Sequence, residues 1–128
     1  MKSSKKALVL VGHGSKLKGF QAPMEKVAKK IRGSQTFDFV ECAYLEITSP
    51  LIPEAIDRFV EKSIREVFVL PYFVLKGMHT QVDIPEIIKV AQKKYKNKVK
   101  IVLCPYLGYD DGIVSLVQKR IGEMSSCT

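Results

Sequence analysis

Apolar residues along this chain alternate between two spacings. Crowded runs at residues 6–11, 37–45, 66–73 and 99–104 have the length and branched-aliphatic content of strands. Between them, apolar residues recur at i, i+3, i+4 and i+7, which predicts helices. The first carries Met24, Val27, Ala28 and Ile31, and Gly33-Ser34 ends it. The second carries Ile52, Ala55, Ile56, Phe59 and Val60 behind Thr48-Ser49-Pro50, which reads as a hydroxyl cap ahead of a proline in the first turn. The third carries Ile84, Ile87, Ile88, Ala91 and Tyr95, and Asp83-Ile84-Pro85-Glu86 has the spacing of a capping box. A last helix is predicted over residues 111–122, with Val114, Val117 and Ile121 turned inward.

The resulting order, βαβαβαβα, contains no internal linker, low-complexity stretch or repeat, and 128 residues fit one domain, 1–128. Strict alternation implies an α/β fold with a parallel sheet and helices on both faces. The expected strand order is flavodoxin-like, 2-1-3-4, with the first and third strands adjacent. The third strand, nearly all apolar, is expected to be covered on both faces. In such sheets the ligand crevice opens at the carboxyl ends of the strands, beside the first.

That topology makes the two histidines conspicuous, because each follows a strand. His13 lies between Gly12 and Gly14, directly after the first strand. His79 follows Gly77 after the third, and Glu46 ends the second. Three groups with metal-ligand chemistry are thus expected on one rim. A neutral imidazole ligates a divalent transition metal or accepts a proton near pH 7. Glu46 has the chemistry of a third ligand or of a base, and equally of a solvated residue before a helix. The bland reading of His13 is a hydrogen bond to its own loop, and that of His79 a contact between loop and helix.

Composition narrows the classes. The net charge of +8 favours anionic partners. Aromatic–basic interleaving and nucleic-acid motifs are absent, so no nucleic-acid partner is expected. Much of the excess falls in Lys89, Lys93, Lys94, Lys96, Lys98 and Lys100, which read as a solvated face at a helix end. The cysteines Cys42, Cys104 and Cys127 form no C-x-x-C pair; the first two lie in predicted strands as small buried hydrophobes. No run reaches the roughly 18 apolar residues of a membrane span. The basic start runs straight into the first strand, which reads as a strand and not a signal peptide, so a cytoplasmic protein is expected. Gly12-His13-Gly14-Ser15 resembles a dinucleotide fingerprint, but Leu17 stands at its final glycine position. A histidine phosphatase would need an arginine where Gly12 stands.

Several segments, in order, carry a more specific likeness. They are Val9-Leu10-Val11-Gly12-His13-Gly14-Ser15, Pro50-Leu51-Ile52-Pro53-Glu54-Ala55, Pro71-Tyr72-Phe73 through Gly77-Met78-His79 to Asp83-Ile84-Pro85, and Pro105-Tyr106-Leu107-Gly108. With these the chain resembles the small single-domain sirohydrochlorin chelatases, the short CbiX type of the class II chelatase superfamily. The resemblance implies a lyase-class enzyme that inserts a divalent metal (cobalt, or nickel or iron) into sirohydrochlorin, with no prosthetic group. It implies His13 and His79 as the metal-binding pair, with His13 also a proton acceptor. Val74, Leu75, Lys76, Gly77 and Met78 would line the tetrapyrrole site. The resemblance also implies a substrate-binding residue before the second helix: some members place an acidic residue directly before its proline, where this chain has Ser49, and Glu46 is the candidate substitute. The histidine-rich segment of some relatives is missing. The resemblance also suggests a homodimer whose paired crevices enclose the macrocycle. The competing readings are a non-catalytic metal or tetrapyrrole carrier and the histidine-dependent phosphatase.

Overall fold

In the computed structural model, which describes residues 5–125, β1 (Lys6–Gly12) is a central strand of a four-stranded sheet. It pairs in parallel with β2 (Phe39–Tyr44) on one side and β3 (Glu66–Pro71) on the other. β4 (Lys100–Leu103) completes the order β2-β1-β3-β4, the flavodoxin-like order expected from the alternation. Four helices follow the strands: α1 (Ala22–Gly33), α2 (Ile52–Glu61), α3 (Ile84–Lys94) and α4 (Asp111–Ser125).

Crossover handedness distributes these helices. The chain steps from β1 outward to β2, then back across β1 to β3 and on to β4. Right-handed connections therefore put α1 on one face and both α2 and α3 on the other. The cores agree. Ala7, Val9, Val11, Val67, Val69 and Ile101 pack with Ile52, Ile56 and Phe59 of α2 and Ile84 and Ile88 of α3, all at most 5% exposed. On the opposite face Leu8, Leu10 and Val40 pack under Met24 and Ala28 of α1.

Five expectations need correction. β3 is covered fully on one face only: Val67 and Val69 are buried, while Phe68 and Leu70 on the α1 side are half-buried. The predicted inner face of α4 is not buried, with Val114, Val117 and Ile121 43%, 52% and 61% exposed. α2 opens later than the Thr48-Ser49-Pro50 cap implies, at Ile52, where the Glu54 carboxylate accepts the Leu51 N–H (2.7 Å). Asp83 makes no capping bond to α3, because its own backbone is already helical. Cys42 and Cys104 are half-buried rather than buried, and Cys127 lies outside the described residues. No helix among the described residues is long and apolar enough to cross a membrane.

Candidate functional site

Two loops at the carboxyl rim are tied together before any functional side chain is considered. The N–H groups of Leu45 and Glu46 donate to the carbonyls of Gly12 and His13 (3.1 and 3.2 Å), so β2 continues alongside the loop after β1. The Thr48 hydroxyl both accepts the Ser15 N–H (3.1 Å) and donates to the Ser15 carbonyl (3.2 Å). Gly14 lies between these contacts at φ +106°, and a Cβ there would stand 1.8 Å from the Glu46 carbonyl oxygen. Glycine is required both for torsion and for room. The ties bring Glu46 to His13, Oε1 to Nε2 at 3.6 Å.

The second histidine is held by a wide helical turn. Residues His79–Asp83 form one π-helical turn that runs directly into α3. Such turns are uncommon and often mark functional positions. Thr80 anchors it: its hydroxyl accepts the Gly77 N–H (3.0 Å) and donates to the Gly77 carbonyl (3.2 Å). One turn on, Asp83 Oδ2 lies 2.9 Å from His79 Nδ1. An ionised carboxylate there holds the ring proton on Nδ1, leaving a lone pair on Nε2.

β1–β3 pairing then sets the two imidazoles against each other. Their ring centroids are 4.4 Å apart and their planes 68° apart, with Phe73 6.3 Å behind His79. The His13 side chain is 54% exposed and that of Glu46 57%, so the pair sits on an open rim. Val74, Leu75, Lys76, Gly77 and Met78 form the exposed loop leading into the π-helical turn. With Leu17 and Ile47 exposed as well, the rim carries large apolar side chains as well as lysine. Among the described residues no group of three His, Cys, Asp or Glu side chains is arranged to hold a metal ion.

Ser49 is placed elsewhere. It lines a cavity of about 360 Å³ between α1 and α2 at the outer edge of β2, with Cys42, Tyr44, Arg58 and Lys62. Burial pushes the Cys42 thiol up to about 11 and the Tyr44 phenol up to about 12. Neither group serves as an acid or base near neutrality. Asp83 is the site residue that sequence reasoning missed. Its spacing of four from His79 was the available signal, but the same aspartate also fitted a helix cap.

The comparisons with known proteins cover this whole frame. The CbiX family model matches residues 7–124. The sirohydrochlorin cobaltochelatase of Sulfolobus acidocaldarius is 34% identical over 113 residues, covering 88% of this chain and 87% of the relative. That of Methanocaldococcus jannaschii is 34% identical over 90 residues, 70% of this chain but only 63% of the relative's own length. Among solved structures, the sirohydrochlorin chelatase SirB from Bacillus subtilis subspecies spizizenii, in complex with cobalt, superposes with a TM-score of 0.84 at 27% identity. It covers 93% of this chain and 50% of the SirB chain.

Proposed function

This chain belongs to the CbiX family, and from that premise we propose that it is a sirohydrochlorin chelatase. It inserts a divalent metal ion, cobalt or alternatively nickel or iron, into sirohydrochlorin, a step of cobalamin, sirohaem or nickel-tetrapyrrole synthesis. The ion is a substrate and no prosthetic group takes part. The observation that carries the reading is the pair of imidazoles, His13 and His79, held 4.4 Å apart on an open rim.

The chemistry follows from what these side chains do. His13 and His79 hold the ion through ring nitrogens, and Asp83 keeps the His79 tautomer in ligating form. Glu46 Oε1 stands 3.6 Å from His13 Nε2. Neighbouring ligands of one tetrahedral ion, with bonds of about 2.1 Å, stand roughly 3.4 Å apart. Glu46 can therefore share an ion with His13, or take the proton that His13 accepts from a pyrrole nitrogen. Two imidazoles and one exposed carboxylate leave positions open to solvent and to the macrocycle, as transfer requires. Residues 74–78 offer the ring an apolar surface and one lysine, and the excess positive charge attracts its carboxylate arms. The working unit is the domain formed by residues 1–128, paired as a homodimer in the cytoplasm.

Anaerobic absorbance spectroscopy tests this reading. Catalytic amounts of the protein, mixed with sirohydrochlorin and each metal in turn, should accelerate appearance of the metallated spectrum. His13→Ala and His79→Ala should each abolish the acceleration while the far-ultraviolet dichroism stays unchanged. Binding of metal and macrocycle without acceleration would instead establish a carrier. Asp83→Asn should weaken cobalt binding by roughly 10- to 100-fold, the usual effect of losing a carboxylate behind a ligating histidine. Unchanged affinity would remove Asp83 from the site.

A further inference from the structure

The histidine chemistry makes no use of the cavity at the outer edge of β2. That cavity, about 360 Å³ between α1 and α2, has the size of a small-molecule pocket, for which roughly 300–1,000 Å³ is usual. Its floor is apolar: Ala28, Ala55 and Phe59 are at most 3% exposed. Tyr44 belongs to the same lining and is 2% exposed, yet its hydroxyl has no hydrogen-bond partner among the described residues. Buried hydroxyls are nearly always partnered, because an unmet one forfeits its hydration. Burial first, and then the charges of Cys42 and Glu25, hold this phenol in its protonated form. Both of those residues stand on the cavity wall, so the phenol end faces the cavity and offers an O–H donor there. Lys29 and Arg32 of α1 and Arg58 and Lys62 of α2 also line it, four cations against the two carboxylates Glu25 and Glu41. Arg32 is already posed. Its Nε and Nη2 donate to the Val40 carbonyl (3.1 and 2.8 Å), which fixes the guanidinium plane and leaves Nη1 for another acceptor.

We infer that this cavity binds a small phosphate-bearing molecule, held by the guanidinium groups of Arg32 and Arg58 and by the Tyr44 hydroxyl. The donors decide the class of ligand. They come from three elements, α1, α2 and β2, and a tetrahedral oxyanion presents acceptor oxygens in as many directions, whereas a carboxylate presents two in one plane. Guanidinium groups also match phosphate oxygens in paired fashion. The surplus of positive charge opposes a metal cation, and Cys42, raised by burial to about 11, offers such an ion no ready thiolate. The apolar floor suits an organic body attached to the phosphate. Nothing in the inference draws on the histidine rim or on the chelatase reading.

Isothermal titration calorimetry at constant ionic strength tests it, with inorganic phosphate, phenyl phosphate and acetate as probes. Phenyl phosphate should bind once per chain and several-fold tighter than inorganic phosphate, while acetate at the same concentrations should show no saturable binding. Tyr44→Phe should weaken phosphate binding about tenfold, as expected for one lost hydrogen bond to a charged group. The same variant should keep its full stability in urea, because the hydroxyl has no partner to lose within its own chain. A phenol with a merely structural role would give the opposite pattern. Arg58→Gln, at an exposed position of α2, should weaken binding at least as much, and His13→Ala should leave it unchanged. Lack of saturable phosphate binding, equal binding in Tyr44→Phe and Arg58→Gln, acetate bound as tightly as phosphate, or loss of binding in His13→Ala would each overturn the proposal. Phosphate binding without metallation would uphold this site and remove the chelatase reading, and metallation without phosphate binding would do the reverse.

Discussion

Val69 and Leu70 are neighbours in β3, pair with Val9 and Leu10 of β1 and occupy opposite faces of the sheet. Val69 is fully buried beneath α2 and α3, whereas Leu70 is half-buried beside the hollow under α4. Both side chains are apolar, so hydrophobicity does not separate them. The route of the chain does: two successive steps in one direction across the sheet stack two helices on one side, while the single opposite step supplies one. A parallel sheet of this order therefore has a finished face and an unfinished one. What completes the second is a question about the last helix.

The largest effects should come from the finished face. Phe59→Ala empties a site that is 1% exposed within a packed core and should destabilise the protein by about 3–5 kcal/mol in urea titrations. A loss below about 1 kcal/mol would mean that this face is not the main core. Gly14→Ala strikes where the sheet meets the rim. Strain at φ +106° and the clash with the Glu46 carbonyl should cost about 1–3 kcal/mol and displace Glu46 from His13. Metallation should then fall more steeply than stability.

The paired truncation sharpens the contrast further. In dilute protein Leu70→Ala should cost about 1 kcal/mol, less than Val69→Ala at about 2 kcal/mol, although leucine loses the larger side chain. The smallest effect is chemical. Burial raises the Cys42 thiol to about 11 and moves Cys104 in the same direction, so both hold less thiolate at pH 7.5 than a free cysteine. Iodoacetamide should label them more slowly than a model thiol, with the Cys42 rate still climbing toward pH 11. Rapid labelling at neutral pH would show that the α1 side is more open than described.

The strands and the order 2-1-3-4 were legible because a period of two or 3.6 residues and a preferred handedness are local properties with global consequences. The histidine pair was legible for a related reason: a residue just past a strand end has nowhere to go but the rim. Other features depended on contacts that spacing does not encode. The stripe through Val114 and Val117 says that one side of α4 is apolar, not which surface will cover it. Asp83 fitted a capping box, yet the π-helical turn extends the helix back to His79 and turns the aspartate into its partner. Ser49 and Glu46 are close in sequence and part in space, because the Gly14 contact draws Glu46 to His13 while Ser49 faces the outer edge of β2.

The meeting of His13 and His79 has a thermodynamic side. α1, β2, α2 and β3 separate them along the chain, and the parallel pairing of β1 with β3 brings their rings to 4.4 Å. On the proposed chemistry, an ion bridging both imidazoles staples two strand ends that the unfolded chain holds far apart. It must then favour the folded state, by about 2.7 kcal/mol when its free concentration is a hundred times its dissociation constant. Handing the ion to the macrocycle withdraws that staple. The melting temperature of this protein would thus rise on loading and fall on delivery, recording each turnover in the stability of the fold itself.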